Sequence, residues 1–311
     1  MVSKNTNHQE VSADEISTMD QQPSESVALG DTSVEHQEII GRLAAHQFVA
    51  VENGPVFALV GNADTPNLLE RIQKFKGEKR ATKPVGLVIP FDAVLGDSLI
   101  ATDIFDVAAI VDPRLQELIR SPNLLTGRGG ALTFVKAIAD MAVKAAAGLS
   151  DAVVPAEHGS SVQLFSTTGN LAGSALSRAA SEHNIRLIMS SLNRSGTPEI
   201  VTIDEAHRYI AEFGLDLPVT YQYEAGDKPV RPLGSYSIIE IKPDHISVAR
   251  PGGLEFELIR DLFSDYDVRL AADHKPTLYP DNVLRRRDLK PEHRGLKNED
   301  LRYALLEHFN I

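Results

Sequence analysis

Five cations fall within ten residues of the stretch KFKGEKRATKP at 74–84: Lys74, Lys76, Lys79, Arg80 and Lys83. Lys and Arg supply both charge and hydrogen-bond donors, so such a cluster suits a polyphosphate. A solvated surface loop has the same composition. A second stretch, LIMSSLNRSG at 187–196, runs from apolar residues into Ser191, Asn193, Ser195 and Gly196. Hydroxyl and amide groups at a strand end sit where ligands gather in α/β folds. Asn can read a base or ribose edge there, and Ser can bond a phosphate or carboxylate. The alternative is a turn that takes Ser, Asn and Gly for their backbone preferences. ARPGG at 249–253 places Arg250, a candidate phosphate ligand, before a tight turn, which also reads as an ordinary strand-to-helix link. GRGGAL at 127–132 fits neither phosphate-loop pattern, because Leu132 stands where the last Gly belongs, and reads as a turn.

Other chemistries lack their residues. The chain has no cysteine, which removes disulfides, thiolate nucleophiles and Cys metal sites and fits a reducing compartment. Its ten histidines show no H-E-x-x-H or other metal spacing, and no G-x-S-x-G elbow is present. Hydrolase and metalloenzyme readings therefore have no support. No apolar run of about 18 residues exists, so no membrane span is expected. The polar start MVSKNTNHQE has no apolar core of a signal peptide, so a cytoplasmic protein is expected.

The elements that must position the candidate residues follow from apolar patterning. Strands are expected at 47–52, 55–61, 84–90, 107–111, 185–191, 235–241 and 245–249, and near 218–224, and GRGGALTFV at 127–135 reads as a Gly-rich turn feeding a strand. Thr65-Pro66 opens a helix whose buried face is Leu68, Leu69, Ile72 and Phe75. Asp112-Pro113 starts a short helix, and residues 136–148, 170–183 and 254–263 read as helical. TIDEAHRYIAEFG at 202–214 is a helix with a capping box from Thr202 to Glu205. Strands and helices intermix, and several turns are too short for crossovers, which predicts a mixed α/β sheet.

Charge divides the 311 residues into parts. Of the net −12, residues 1–38 carry −7, with eight acids and the single base Lys4. A polar, acidic segment buries too little apolar surface to order itself, so 1–37 is expected to be a disordered tail. Residues 38–265 form the expected folded body. Residues 266–311 read as an appended basic arm, RRRDLKPEHRGLK at 285–297 followed by an amphipathic helix bearing Leu301, Ala304, Leu305 and Phe309.

Taken in chain order, these pieces resemble the YrdC-like family, the threonylcarbamoyl-adenylate synthases. The family combines a K-x-R…(K/N)-P loop, a T-S-A-N-x-S-G strand end, an S-T-V-V-D strand and an R-P-G turn. The counterparts are KGEKRATKPVGLVI, SSLNRSG, SYSIIEI and ARPGG, and NGPVFALVGNADTPNLLERI is similar to the family's opening strand and helix. The similarity runs from about 38 to 265. It implies a twisted open mixed sheet with flanking helices and a concave, positively charged cavity. It also implies a reaction, in which ATP, bicarbonate and L-threonine give threonylcarbamoyl-AMP and pyrophosphate, with Mg²⁺ accompanying the nucleotide. The adenylate serves modification of adenosine 37 in tRNA.

Carried over position by position, the resemblance is uneven. On the nucleotide side it implies Lys79 or Arg80 as the loop arginine, together with Lys76, Lys83, Ser161, Asn193 and Arg250. On the second-substrate side only Ser191 is kept. Asn53 stands in place of a Thr, Phe57 of a Tyr, Val88 of a polar residue and Tyr236 of a Ser. Phe165 aligns with the arginine that grips the amino-acid carboxylate. A charged hydrogen bond is worth roughly 1.5–3 kcal/mol, so free L-threonine is not expected to bind in the family manner. Three expectations follow: threonylcarbamoyl-AMP synthesis through a rearranged pocket, carbamoyl-adenylate chemistry with another acceptor, or a non-catalytic nucleotide- or RNA-binding relative. In the last, the cationic loop and Arg285, Arg286, Arg287, Lys290, Arg294 and Lys297 would meet the phosphates of a tRNA or double-stranded RNA, with strong salt dependence.

Overall fold

The run VFALVGN is buried along its whole length, which marks a strand covered on both faces rather than one lying on a solvated surface. It is the second of eleven strands among the described residues of a computed structural model. The model describes residues 33–53, 56–77, 85–89, 106–120, 133–138, 154–156, 159–166, 176, 179–180, 182–220, 236–276 and 283–309. The first strands are β1 (Val49–Asn53), β2 (Val56–Asn62), β3 (Gly86–Ile89), β4 (Thr133–Ile138), β5 (Val154–Ala156) and β6 (Gly159–Ser166). β7 (Leu187–Ser191), β8 (Val219–Thr220), β9 (Ser237–Ile241), β10 (Ile246–Arg250) and β11 (Val268–Leu270) follow. The helices are α1 (Ser33–Ala44), α2 (Leu68–Lys76), α3 (Pro113–Arg120), α4 (Ile203–Glu212), α5 (Phe256–Leu262) and α6 (Asn298–Phe309).

The strands form one open mixed sheet in the order β11-β10-β9-β4-β6-β3-β7-β2-β1-β8, with β5 beside β6. Pairs β1–β2, β2–β7, β3–β7, β4–β6 and β9–β10 are antiparallel, while β3–β6, β4–β9, β10–β11 and β1–β8 are parallel. Alternation along each strand feeds two apolar clusters. Phe57, Leu59, Leu87, Leu164 and Ile188 join one, with α2, α3 and α5. Ala58, Val60, Val88 and Met189 join the other, with α1 and the helical residues 176 and 180.

Several expected elements change. β4 takes residues 136–138, where a helix was expected to begin, because pairing with β6 and β9 on both sides overrides the alanine-rich helical pattern. Residues 107–109 form a 3-10 turn instead of a strand, closed by the Asp106 carboxylate accepting from the Ala109 amide. Thr65 does not cap α2. It is buried inside a turn set by Asn62, whose side chain accepts from the Asp64 amide at 2.9 Å, and Asn67 at φ 53° precedes the helix. The Thr202–Glu205 capping box forms as expected, with Thr202 Oγ1 accepting from the Glu205 amide at 3.2 Å. α1 starts at Ser33, inside the expected tail, and buries Ile39, Ile40 and Leu43.

The body does not end at 265. β11 extends the sheet, and Leu284, Leu289, Leu301 and Leu305 enter the first apolar cluster. The amide of Leu284 donates to Gly253 at 2.9 Å, and Glu255 donates back to Leu284 at 3.0 Å. Several arm cations serve this packing. Arg286 pairs with Asp261, Lys290 pairs with Glu307, and Arg294 donates to the carbonyls of Leu289 and Arg287 at 3.0 and 2.8 Å. These three side chains staple the segment down, which weighs against the arm as a row of free phosphate contacts.

Candidate functional site

α2 carries Leu68, Ile72 and Lys76 at four-residue spacing on its buried face. The last of these is a lysine only 3% exposed, at a place where an apolar side chain belongs. A buried ammonium must spend its donors on protein acceptors. Lys76 Nζ reaches the end of β7, donating to the Ser191 carbonyl, to Ser191 Oγ at 3.0 Å and to Asn193 Oδ1 at 3.4 Å. The return contact is from the Ser195 amide to the Lys76 carbonyl at 2.9 Å. Asn193 is itself buried and donates through Nδ2 to the Thr197 carbonyl. The cation at the helix C-terminus also suits the helix dipole. Two sequence motifs 115 residues apart are thus one hydrogen-bonded unit.

Arg250 arrives by a different device. Ile246 and Val248 of β10 face the first apolar cluster, and an unbroken strand would turn Arg250 the same way. The register shifts between Val248 and Arg250, so Arg250 sits opposite Ile238, which packs against the second cluster. This bulge turns the guanidinium to the sheet face that Val88 and Met189 occupy. Its Nε and Nη2 donate to the Tyr236 carbonyl at 3.1 and 2.8 Å. Burial pushes Arg250 below the ordinary arginine value, and the negative charge of Glu199 works against that.

Beside Lys76 lies an open depression of about 820 Å³, lined by Lys74, Lys76, Gly77, Arg194, Ser195 and Thr197, with Glu70 and Gln73 at its rim. Gly77 ends α2 at φ +79°, and a Cβ there would stand 3.3 Å from Arg194 Nη2. The Arg194 guanidinium also lies over the Phe213 ring at 5.0 Å. Phe213 packs on Tyr209, whose hydroxyl donates to the Phe75 carbonyl at 2.9 Å. Burial pushes the Tyr209 phenol up, opposed by the Arg194 charge.

Of the sequence candidates, Lys76, Ser191 and Asn193 meet directly, and Arg250 and Tyr236 form a neighbouring pair. Phe57 does not join them. It is 1% exposed in the first cluster, on the opposite sheet face from its neighbour Ala58. Val88 is buried in the second cluster, against which Tyr236 packs, and Phe165 is its register partner on β6. Asn53 ends β1 opposite Val56, and Ser161 lies opposite Ile138 and Val154. Lys79, Arg80 and Lys83 lie outside the described residues. Arg194, Glu199 and Phe213 are additions. The first lies within the SSLNRSG stretch, but its spacing from the strand gives no hint of the stacking.

No family model matches the chain, and no curated protein matches its sequence. Solved structures do match. Sua5 of P. abyssi complexed with L-threonine aligns at TM-score 0.52 and 17% identity, over 76% of this chain and 59% of that one. YciO of E. coli aligns at TM-score 0.50 and 15% identity, over 70% and 89%. The fold is YrdC-like. A Streptococcus mutans protein of hypothetical function shares it at TM-score 0.51 and 12% identity, over 76% and 94%. This chain spans less than two thirds of the length of Sua5. Within the YrdC-like sheet, the strand end SSLNRSG and the turn ARPGG are the places where the described candidate ligands collect.

Proposed function

We propose that the chain is a divergent YrdC-like protein that binds ATP through Lys76, Ser191, Asn193 and Arg250 and forms threonylcarbamoyl-AMP. The supporting observation is the buried Lys76 ammonium, held by the Ser191 and Asn193 side chains. A solvated charge run would leave that lysine in water; here it is fixed between the last turn of α2 and the strand end. In the proposed reaction, the amine of L-threonine and bicarbonate give a carbamate with loss of water. A carbamate oxygen attacks the α-phosphorus, the bond from that phosphorus to the bridging oxygen breaks, and pyrophosphate leaves. Lys76 and Arg250 supply fixed positive charge, which need not reorganise as charge builds on the phosphates. Asn193 orients the nucleoside end. Among the described residues no three acidic or histidine side chains gather as a metal site. The Mg²⁺ in this scheme enters on the phosphates, as is usual for that ion. No helix among the described residues is long and apolar enough to cross a membrane.

The acceptor side favours a second reading. Val88 lies in an apolar cluster against which Tyr236 packs, and Phe165 holds the register place beside Val88 where the resemblance puts a carboxylate-binding arginine. That composition suits nucleotide binding with an acceptor other than free L-threonine, or without catalysis. A mass-spectrometric product assay separates the readings. The protein is incubated with ATP, Mg²⁺ and bicarbonate, with and without L-threonine, and with carbamoyl phosphate in parallel. Threonylcarbamoyl-AMP in the threonine tube alone supports the first reading. Carbamoyl-AMP in the parallel tube supports another acceptor. No adenylate from a protein that binds ATP leaves a binding module.

A further inference from the structure

We infer that the depression beside Lys76 is a phosphate subsite in which Arg194 holds the outer phosphates of the bound nucleotide, an inference that rests on the nucleotide reading above. Neither the motifs nor the resemblance assigns Arg194 a role. Three observations do. First, the guanidinium is held over the Phe213 ring at 5.0 Å before any ligand arrives, and the side-chain-free Gly77 lies close to it. Stacking occupies the face of the guanidinium and leaves its edge N–H groups for a bidentate oxyanion. Second, among the described residues the Arg194 side chain makes no hydrogen bond and no ion pair.

The third observation is the composition of the lining. Glu70 is paired with Lys74 at 3.3 Å, and the other charged side chains among the described lining residues are Lys76 and Arg194. Ser195 and Thr197 line the same space, and the loop that holds them is pinned by Thr197 Oγ1 donating to the Arg194 carbonyl at 2.9 Å. The volume of about 820 Å³ falls in the range usual for small-ligand sites. Among the described lining residues there is no aromatic face for a base to lie on. A cationic, hydroxyl-lined space that shares Lys76 with the nucleotide cluster fits phosphates, and those furthest from the nucleoside.

The test is calorimetric titration of the full chain and of Arg194→Ala with ATP, AMP and inorganic tripolyphosphate. Arg194 is exposed, so its loss leaves the fold intact. The expected result is at least about tenfold weaker ATP and tripolyphosphate binding with AMP unchanged within about twofold, on the usual scale for a charged hydrogen bond. Phe213→Ala should lose less, about threefold, because it removes only the backing of the guanidinium. Arg194→Ala binding ATP like the parent overturns the inference and leaves the nucleotide reading standing. So does an equal loss for AMP and ATP, which would place Arg194 elsewhere on the nucleotide. Tripolyphosphate bound through Arg194 by a chain that ignores both nucleotides keeps the subsite and ends the nucleotide reading. A parent chain that binds none of the three ends both.

Discussion

The two ends of the candidate site are built from opposite materials. At the end of β7, a serine and an asparagine both bond one buried lysine. On the neighbouring strands, where an acceptor would lie, Val88 and Tyr236 meet an apolar cluster instead. A buried polar network persists only when its members satisfy one another, and replacing one alone leaves its partners stranded. Apolar positions drift more freely, since side chains of similar volume repack at modest cost. The contrast indicates which half of the site the fold still constrains, and it is the half that would meet the nucleotide.

The largest expected effect comes from Lys76→Met, which keeps the volume and removes the ammonium. It strands Ser191 and Asn193, so stability should fall by about 1–3 kcal/mol and ATP affinity by about a hundredfold. A chemical melt and a titration read the two losses; a melt unchanged from the parent would break the picture of a shared polar unit. Arg250→Lys comes next. A lysine cannot reproduce the paired Nε and Nη2 bonds to the Tyr236 carbonyl, and ATP affinity should fall by about tenfold. On the acceptor side, Val88→Ile adds one methylene to a buried position, so stability should fall by about 1–3 kcal/mol while ATP affinity stays unmoved, which sharpens the division between the two ends. Smallest is Thr202→Ala, which removes one half of the α4 capping box and should cost about 1 kcal/mol of stability, measured by denaturant midpoint, with no effect on ATP.

What the sequence made legible was local. β7, the Thr202–Glu205 box and the turn after Arg250 each announce themselves within a few residues. The bulge beside Ala249 does not, because ISVAR alternates like any strand and the shift appears only against β9. Phe57 illustrates a related limit. In a strand buried on both faces every residue is apolar, so parity between Phe57 and Ala58 cannot be read from hydropathy. The C-terminal segment was hidden by its composition. Its basic residues dominate the pattern; Leu301 and Leu305 mark an amphipathic helix, but Leu284 and Leu289 are isolated, and nothing local shows that all four join the first apolar cluster. The meeting of Lys76 with Ser191 was legible only as two motifs in order, since contact across 115 residues is a property of topology.

Removing the amide of Asn193 tests the nucleotide claim most directly. Calorimetric titration of ATP into the parent chain and into Asn193→Ala, each confirmed folded by near-ultraviolet circular dichroism, reads it out. The account predicts that the parent binds ATP and that Asn193→Ala binds at least about tenfold more weakly. A folded Asn193→Ala that binds ATP as tightly as the parent would contradict it.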